Sequence, residues 1–361
     1  MISRILFVNF FKSFSLEIVL VLISISGIIF FFDIIELSKA SFSFNTSVIF
    51  LVKMALMKNY KSLEKIIPFV ILIASILFFN KKSRNLEIIA AKSAGMSSFS
   101  LLAPILMVTI LFATLNITIL NPIGVYFLKR YQDIEAIKLK GQKSLVMVSK
   151  SGIWLRKKVN GDVMIINALR VSQNSQALYD INIFCIYKEA NFSKRIIADR
   201  GIFKENLLEL YNVEILDQNL STQHKNKLTL PIKITLSEII ESLSSPETIS
   251  FWSLPEYIDI AKSSGLSSKI YIYYLLKSIS SPFFLISMIF LSYAFITRFK
   301  NHNVLNLSIF FTIIVGIVLY FLANFIYALG LSDKLPMIFS VILPIIISNA
   351  ITLFSLLHVE L

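Results

Sequence analysis

The chain has 361 residues, 56% of them hydrophobic and 16% charged, with a mean hydropathy of +0.74; so few charges do not cover a water-soluble fold of this size, and a membrane protein is the default. The formal charge of +13 comes from scattered Lys and Arg, with no basic helix or aromatic-interleaved stripe, which points to membrane headgroups and away from nucleic acid. A single cysteine, Cys185, excludes an intramolecular disulfide.

In chain order, Leu16 to Phe32 is apolar except for Glu17 and follows Arg4 and Lys12, as in a signal peptide, but five further apolar runs argue for an uncleaved first span. Asp33 and Glu36 lie where that span emerges and read as solvated helix-end residues. The second run, Ile66 to Phe79, has only 14 residues, short of the roughly 20 a span needs, so its helix is predicted to extend upstream with Lys65 and Lys61 snorkelling. After Lys81 and Lys82, the helix-forming stretch Leu86 to Ala94 stops at Gly95 and predicts a short helix with Glu87 and Arg84 exposed. Ser93 to Leu128 carries no charge, enough for a third span and a short helix, with Pro104 and Pro122 as kink or boundary points.

Between Lys129 and Gly265 the pattern changes to period two with short turns. Asn160-Gly161 reads as a type I′ hairpin turn. Strand candidates include Gly152 to Arg156, Met164 to Asn167, Leu178 to Tyr187, Arg195 to Ala198, Leu207 to Leu216 and Lys227 to Ile234, spaced as in an antiparallel sandwich or jelly roll. Pro255 to Ser264 reads as a short helix closed by Gly265. Ser278 to Thr297, Asn303 to Ser332 and Leu335 to Leu357 then make three uncharged spans. The expected fold is an α-helical membrane protein with six transmembrane helices and an inserted all-β, jelly-roll-like domain. Its parts are residues 1–128 with a short helix at about 84–96, residues 129–265, and residues 266–361.

Arg4, Lys12, Lys81, Lys82, Arg84, Lys92, Arg298 and Lys300 favour an inside N-terminus, although Lys39, Lys53, Lys58, Lys61 and Lys65 fall on the outer side. No Gly-x-x-x-x-Gly-Lys-Ser/Thr occurs; Gly141-Gln142-Lys143-Ser144 is the nearest string. His224, His302 and His358 are far apart, and there is no Gly-x-Ser-x-Gly elbow. No catalytic residue, metal ligand or cofactor is predicted. A transport subunit powered by a partner fits best; a membrane-anchored periplasmic sensor or ligand-binding protein is the alternative, and an intramembrane lipid-modifying enzyme lacks the paired acid and base groups it needs.

The stretch Ser83-Arg-Asn-Leu-Glu-Ile-Ile-Ala-Ala-Lys-Ser-Ala-Gly-Met-Ser97 resembles the segment between spans two and three of the lipopolysaccharide export permeases, the LptF/LptG family. Gly27-Ile-Ile-Phe-Phe-Phe-Asp33 and Lys262-Ser-Ser-Gly-Leu266 are most like the LptG branch. The resemblance implies a multi-pass protein of the bacterial inner membrane with its β domain in the periplasm. It implies a permease subunit of an ABC transporter, with an LptB-like ATPase dimer, an LptF-like paired permease, LptC-like and LptA-like periplasmic proteins, and lipopolysaccharide as substrate. It makes Glu87 the main polar contact to the ATPase, with Arg84, Lys92 and Met96 beside it. It also turns Phe30, Phe31 and Ile34 toward acyl chains, with Asp33 nearby. Phe30 stands where the family commonly has a lysine, so Lys39 is the expected point charge toward lipid phosphate.

Overall fold

The computed structural model describes residues 2–40, 47–138, 146–149, 152–159, 162–172, 177–186, 192–204, 207–217, 222–231, 245–263, 267–298 and 302–360. The chain divides into two compact units, one of residues 1–131 and 273–361, the other of residues 132–272. Its helices are α1 (Ile2–Ala40), α2 (Val48–Glu64), α3 (Ile67–Arg84), α4 (Glu87–Ser93), α5 (Ser98–Leu115), α6 (Asn121–Lys138), α7 (Leu254–Ser263), α8 (Lys269–Arg298), α9 (His302–Leu331) and α10 (Met337–Glu360).

Among the described residues, five helical stretches are long and apolar enough to cross a membrane, and α2 with α3 passes the same test as a pair bent by 73°. That bend corrects the expected second span. Lys61 and Lys65 do not extend α3 upstream, because Pro68 sits in its first turn, where a proline ring clashes with the carbonyl four residues earlier and offers no N–H to continue the ladder. Pro104 stays inside α5 and buried. Pro122 follows a π-helical turn, Asn116–Leu120, in which the Asn121 N–H reaches the Asn116 carbonyl; an imino acid at 122 cannot complete the tighter α ladder, so the wider turn absorbs the mismatch.

The helical core is aromatic at one level. Phe10 and Phe14 of α1 meet Phe78 edge-on, Phe78 meets Phe79, and Phe79 meets Tyr293 of α8, with ring centres 5.2–5.4 Å apart. Hydroxyls supply the cross-links that apolar contact alone does not give between helices in lipid. Ser75 donates to Ser292 at 2.8 Å, and Tyr293 donates to Ser98 at 2.8 Å.

Among the described residues, the inserted unit holds an antiparallel sheet of seven strands, β1 (Val146–Ser149), β2 (Gly152–Val159), β3 (Asp162–Ser172), β4 (Ala177–Ile186), β5 (Phe192–Lys204), β6 (Leu207–Asp217) and β7 (Thr222–Leu230), ordered as a simple meander. The expected Asn160-Gly161 turn lies outside the described residues, and Val159 pairs with Asp162 on either side of it. Gly265 also lies outside them. One line crosses the strands where Leu169, Asp180, Asp199 and Asn212 interrupt the regular pairing. Asp180 and Asn212 there have φ of 54° and 53°, so the pleat slips by one residue. Ile196 and Ala198 are buried before the line, and Gly201 and Phe203 after it. The apolar face therefore stays on one side through the slip, and the sheet can curve without exposing it.

Candidate functional site

α4 ends as its sequence requires. Gly95, with φ of +83°, donates to the Lys92 carbonyl at 2.9 Å, and Met96 donates to Ala91 at 3.1 Å, the paired bonds of a Schellman cap. Ile88 and Ala91 are buried in the helical core, and Met96 packs against it, while Leu86 and Ile89 are exposed. Gly95→Val is expected to cost about 1–2 kcal/mol, since a side chain there meets the left-handed penalty; a fall in the midpoint of thermal unfolding in detergent checks it.

Glu87 is not the freely exposed acid anticipated. Its Oε2 accepts from Lys82 Nζ at 2.8 Å and its side chain is 30% exposed, and its Oε1 accepts from Asn85 at 3.3 Å. Arg84 is exposed at the end of α3. Lys92 is exposed and lies 5.8 Å from the Tyr293 ring centre.

The expected substrate residues all sit on α1. Asp33 is not solvated: it is 5% exposed, its Oδ1 lies 2.9 Å from Lys58 Nζ of α2, and its Oδ2 is buried without a hydrogen-bond partner. Lys58 also reaches the exposed Glu36 at 2.8 Å. Phe31 and Lys39 are exposed, and Ile34 is half-buried. Phe30 is half-buried and lines a cavity of about 520 Å³ between α1, α2 and α5, with Gly27, Leu56, Tyr60, Leu63 and Phe112 among its walls. Ser26 and Asn59, also at the wall, satisfy each other through bonds of 2.7 and 2.9 Å. The cavity is apolar and falls within the range of about 300–1,000 Å³ usual for ligand sites.

Beside the α2–α3 break lies a second, largely buried polar cluster. Lys61, which was expected to snorkel, is 4% exposed, pairs with Glu64, and donates to Tyr274 of α8 at 2.8 Å. Asn121 of α6 donates to the other oxygen of Glu64 at 2.9 Å. Tyr60 donates to Asn116 in the π turn at 2.9 Å, and its ring lies against Gly124, where a Cβ would stand 1.8 Å from it. Glu17, in the middle of an apolar run, is held by Lys81 at 3.4 Å.

Reading along the chain named Asp33, Glu36, Lys58 and Lys61 without pairing them, and missed Glu64. Lys58, Lys61 and Glu64 recur at three-residue intervals on α2, and Asp33 and Glu36 do so on α1. That spacing puts each set on one helix face and is the signal that separates them from a scattered outer-loop charge.

A family model described as lipopolysaccharide export system permease LptF/LptG matches residues 9–358. No curated protein matches the chain. Because the family match runs through both helical segments and the sheet between them, the chain belongs to the LptF/LptG family of lipopolysaccharide export permeases, multi-pass proteins of the inner membrane.

Proposed function

We propose that this chain is the LptG-type permease subunit of an ABC transporter that extracts lipopolysaccharide from the inner membrane and passes it to a periplasmic bridge toward the outer membrane. The observation that carries the reading is the family match over residues 9–358. An LptB-like ATPase dimer docks on α4, an LptF-like permease completes the transmembrane cavity, and LptC-like and LptA-like proteins receive the lipid from the β domain in the periplasm.

The packing of α4 supports its part. Its outward side offers Leu86 and Ile89, and its inward side shares a core with Phe10 of α1 and Tyr293 of α8. A stroke delivered to α4 therefore reaches α1, the helix that carries Phe30, Phe31, Asp33, Ile34 and Lys39. Acyl chains enter beside Phe30, where the walls are apolar and the polar wall groups are already satisfied, so burying a hydrocarbon there leaves no donor or acceptor orphaned. Lys58, paired with Asp33 and Glu36 of α1, joins Lys39 as a second cation available to lipid phosphate. The apolar face of the sheet is the surface that receives the extracted lipid away from water.

Depletion of the chain is expected to lower outer-membrane lipopolysaccharide and retain it in the inner membrane, measured on separated membranes. Unchanged outer-membrane levels would count against export and in favour of a sensor. Purification of the tagged chain from its native membrane is expected to bring an ATPase with it.

A further inference from the structure

Lys82 is a cation nearly cut off from water. Its side chain is 7% exposed, and its ammonium lies 5.2 Å from the ring centre of Phe10 and 5.9 Å from that of Phe78. Its ion-pair partner among the described residues is Glu87, whose Oε2 is 2.8 Å away. Lys81, one residue earlier, is 58% exposed, as an inside-positive lysine should be. Charge bias accounts for Lys81 and leaves Lys82 unexplained, because burying an ammonium is costly unless specific groups compensate it. Here the compensation comes from three elements: a ring of α1, a ring of α3 itself, and the first carboxylate of α4.

We infer that Lys82 is a positioning residue that ties the start of α4 to α1, so that displacement of α4 is passed to the cavity-lining helix; this rests on the reading of α4 as the ATPase-contacting helix. Glu87 opens α4, where a carboxylate also complements the helix dipole, so the ion pair grips the helix at its end. The preceding Leu86 has φ of +58°, a conformation costly for leucine that persists only when its surroundings hold it. Ile88, the next residue, and Ala91, one turn on, enter the same core as Phe10 and Phe78. Lys92 lies over Tyr293 at the other end of the helix. α4 is thus fixed to α1 and α3 at its start and to α8 at its end.

Lys82→Met separates this role from simple packing, because it keeps the stem and leaves Glu87, itself partly exposed, free to hydrate. Lys82→Arg keeps a cation able to stack on both rings. Phe10→Leu keeps apolar bulk and removes one ring face, and serves if Lys82→Met folds poorly. The first readout is hydrogen exchange at the Ala90, Ala94 and Met96 amides in the full-length chain in lipid nanodiscs. Lys82→Met is expected to speed it about tenfold, the equivalent of losing one desolvated cation–ring and ion-pair contact, and Lys82→Arg to restore it. The second is lipopolysaccharide released per ATP hydrolysed by the whole complex in proteoliposomes. The Lys82→Met complex is expected to retain its ATPase and release less lipid per ATP. Unchanged exchange at α4, or faster exchange with an unchanged ratio of lipid to ATP, overturns the inference. If no ATPase accompanies the unaltered chain, the proposed function fails, and the exchange result still decides whether Lys82 holds α4.

Discussion

Glu64→Ala is expected to destabilise the helical unit by about 3–5 kcal/mol, the usual cost of stranding a buried charge. Lys61 is 4% exposed, and after the substitution its ammonium keeps, among the described residues, the Tyr274 hydroxyl 2.8 Å away. Asn121 loses its bond to Glu64 in the same step. Lys61→Met should cost less, since the carboxylate it leaves is 18% exposed and keeps the Asn121 donor. The double variant Lys61→Met with Glu64→Leu should recover much of the loss, because replacing a buried pair with apolar groups of similar volume is often nearly neutral. Unfolding of the four proteins in detergent closes the double-mutant cycle. If Glu64→Ala lies within about 1 kcal/mol of the unaltered chain, the pair is hydrated and does not clasp α2 to α6 and α8.

The placement of that clasp explains what was and was not legible in the sequence. Spans three to six announce themselves by uncharged length, which depends on the lipid alone and needs no knowledge of neighbours. The bent pair did not, because the 14-residue run at Ile66 to Phe79 suggested a deficit to be filled upstream, whereas Pro68 makes α2 and α3 two helices meeting at an angle. The sheet was legible from its alternation, but the slipped line at Asp180, Asp199 and Asn212 was not. There the period of two breaks while the buried face and the pairing register continue, and the left-handed backbone at Asp180 and Asn212 is what reveals it.

At the sites the same division holds. The helix of residues 87–93 and its stop at Gly95 follow from local chemistry, and they formed where the sequence placed them. Which charges are exposed does not follow from local chemistry. Lys81 and Lys82 are identical by composition, yet one is on the surface and the other is boxed by rings from residues 10 and 78. Asp33 became a buried ion-pair member through Lys58, 25 positions away in the chain, a meeting that depends on how α2 packs on α1.

Gly27→Leu is expected to move stability and transport in opposite directions. Gly27 lies in α1 on the wall of the cavity beside Phe30, and a Cβ added there meets nothing within 4 Å. A leucine can thus enter open space without displacing a neighbour. Its removal of a mid-helix glycine should add about 0.5–1 kcal/mol of stability, while its side chain, leaning toward the start of α1 as helical leucines do, occupies room the acyl chain would need. A photocrosslinker at Phe30 should capture lipopolysaccharide in the otherwise unaltered complex and lose about tenfold of that yield with Gly27→Leu, the loss expected when roughly 1.4 kcal/mol of binding is removed. Lipopolysaccharide release should fall with it at an equal or higher unfolding midpoint. A fall in both stability and release would mean that leucine disrupts α1 and would leave the cavity without support as the lipid's path. Capture and release that are undiminished by leucine would show that the acyl chains pass elsewhere, because a site of about 520 Å³ cannot hold the same chain and a new side chain in the same volume.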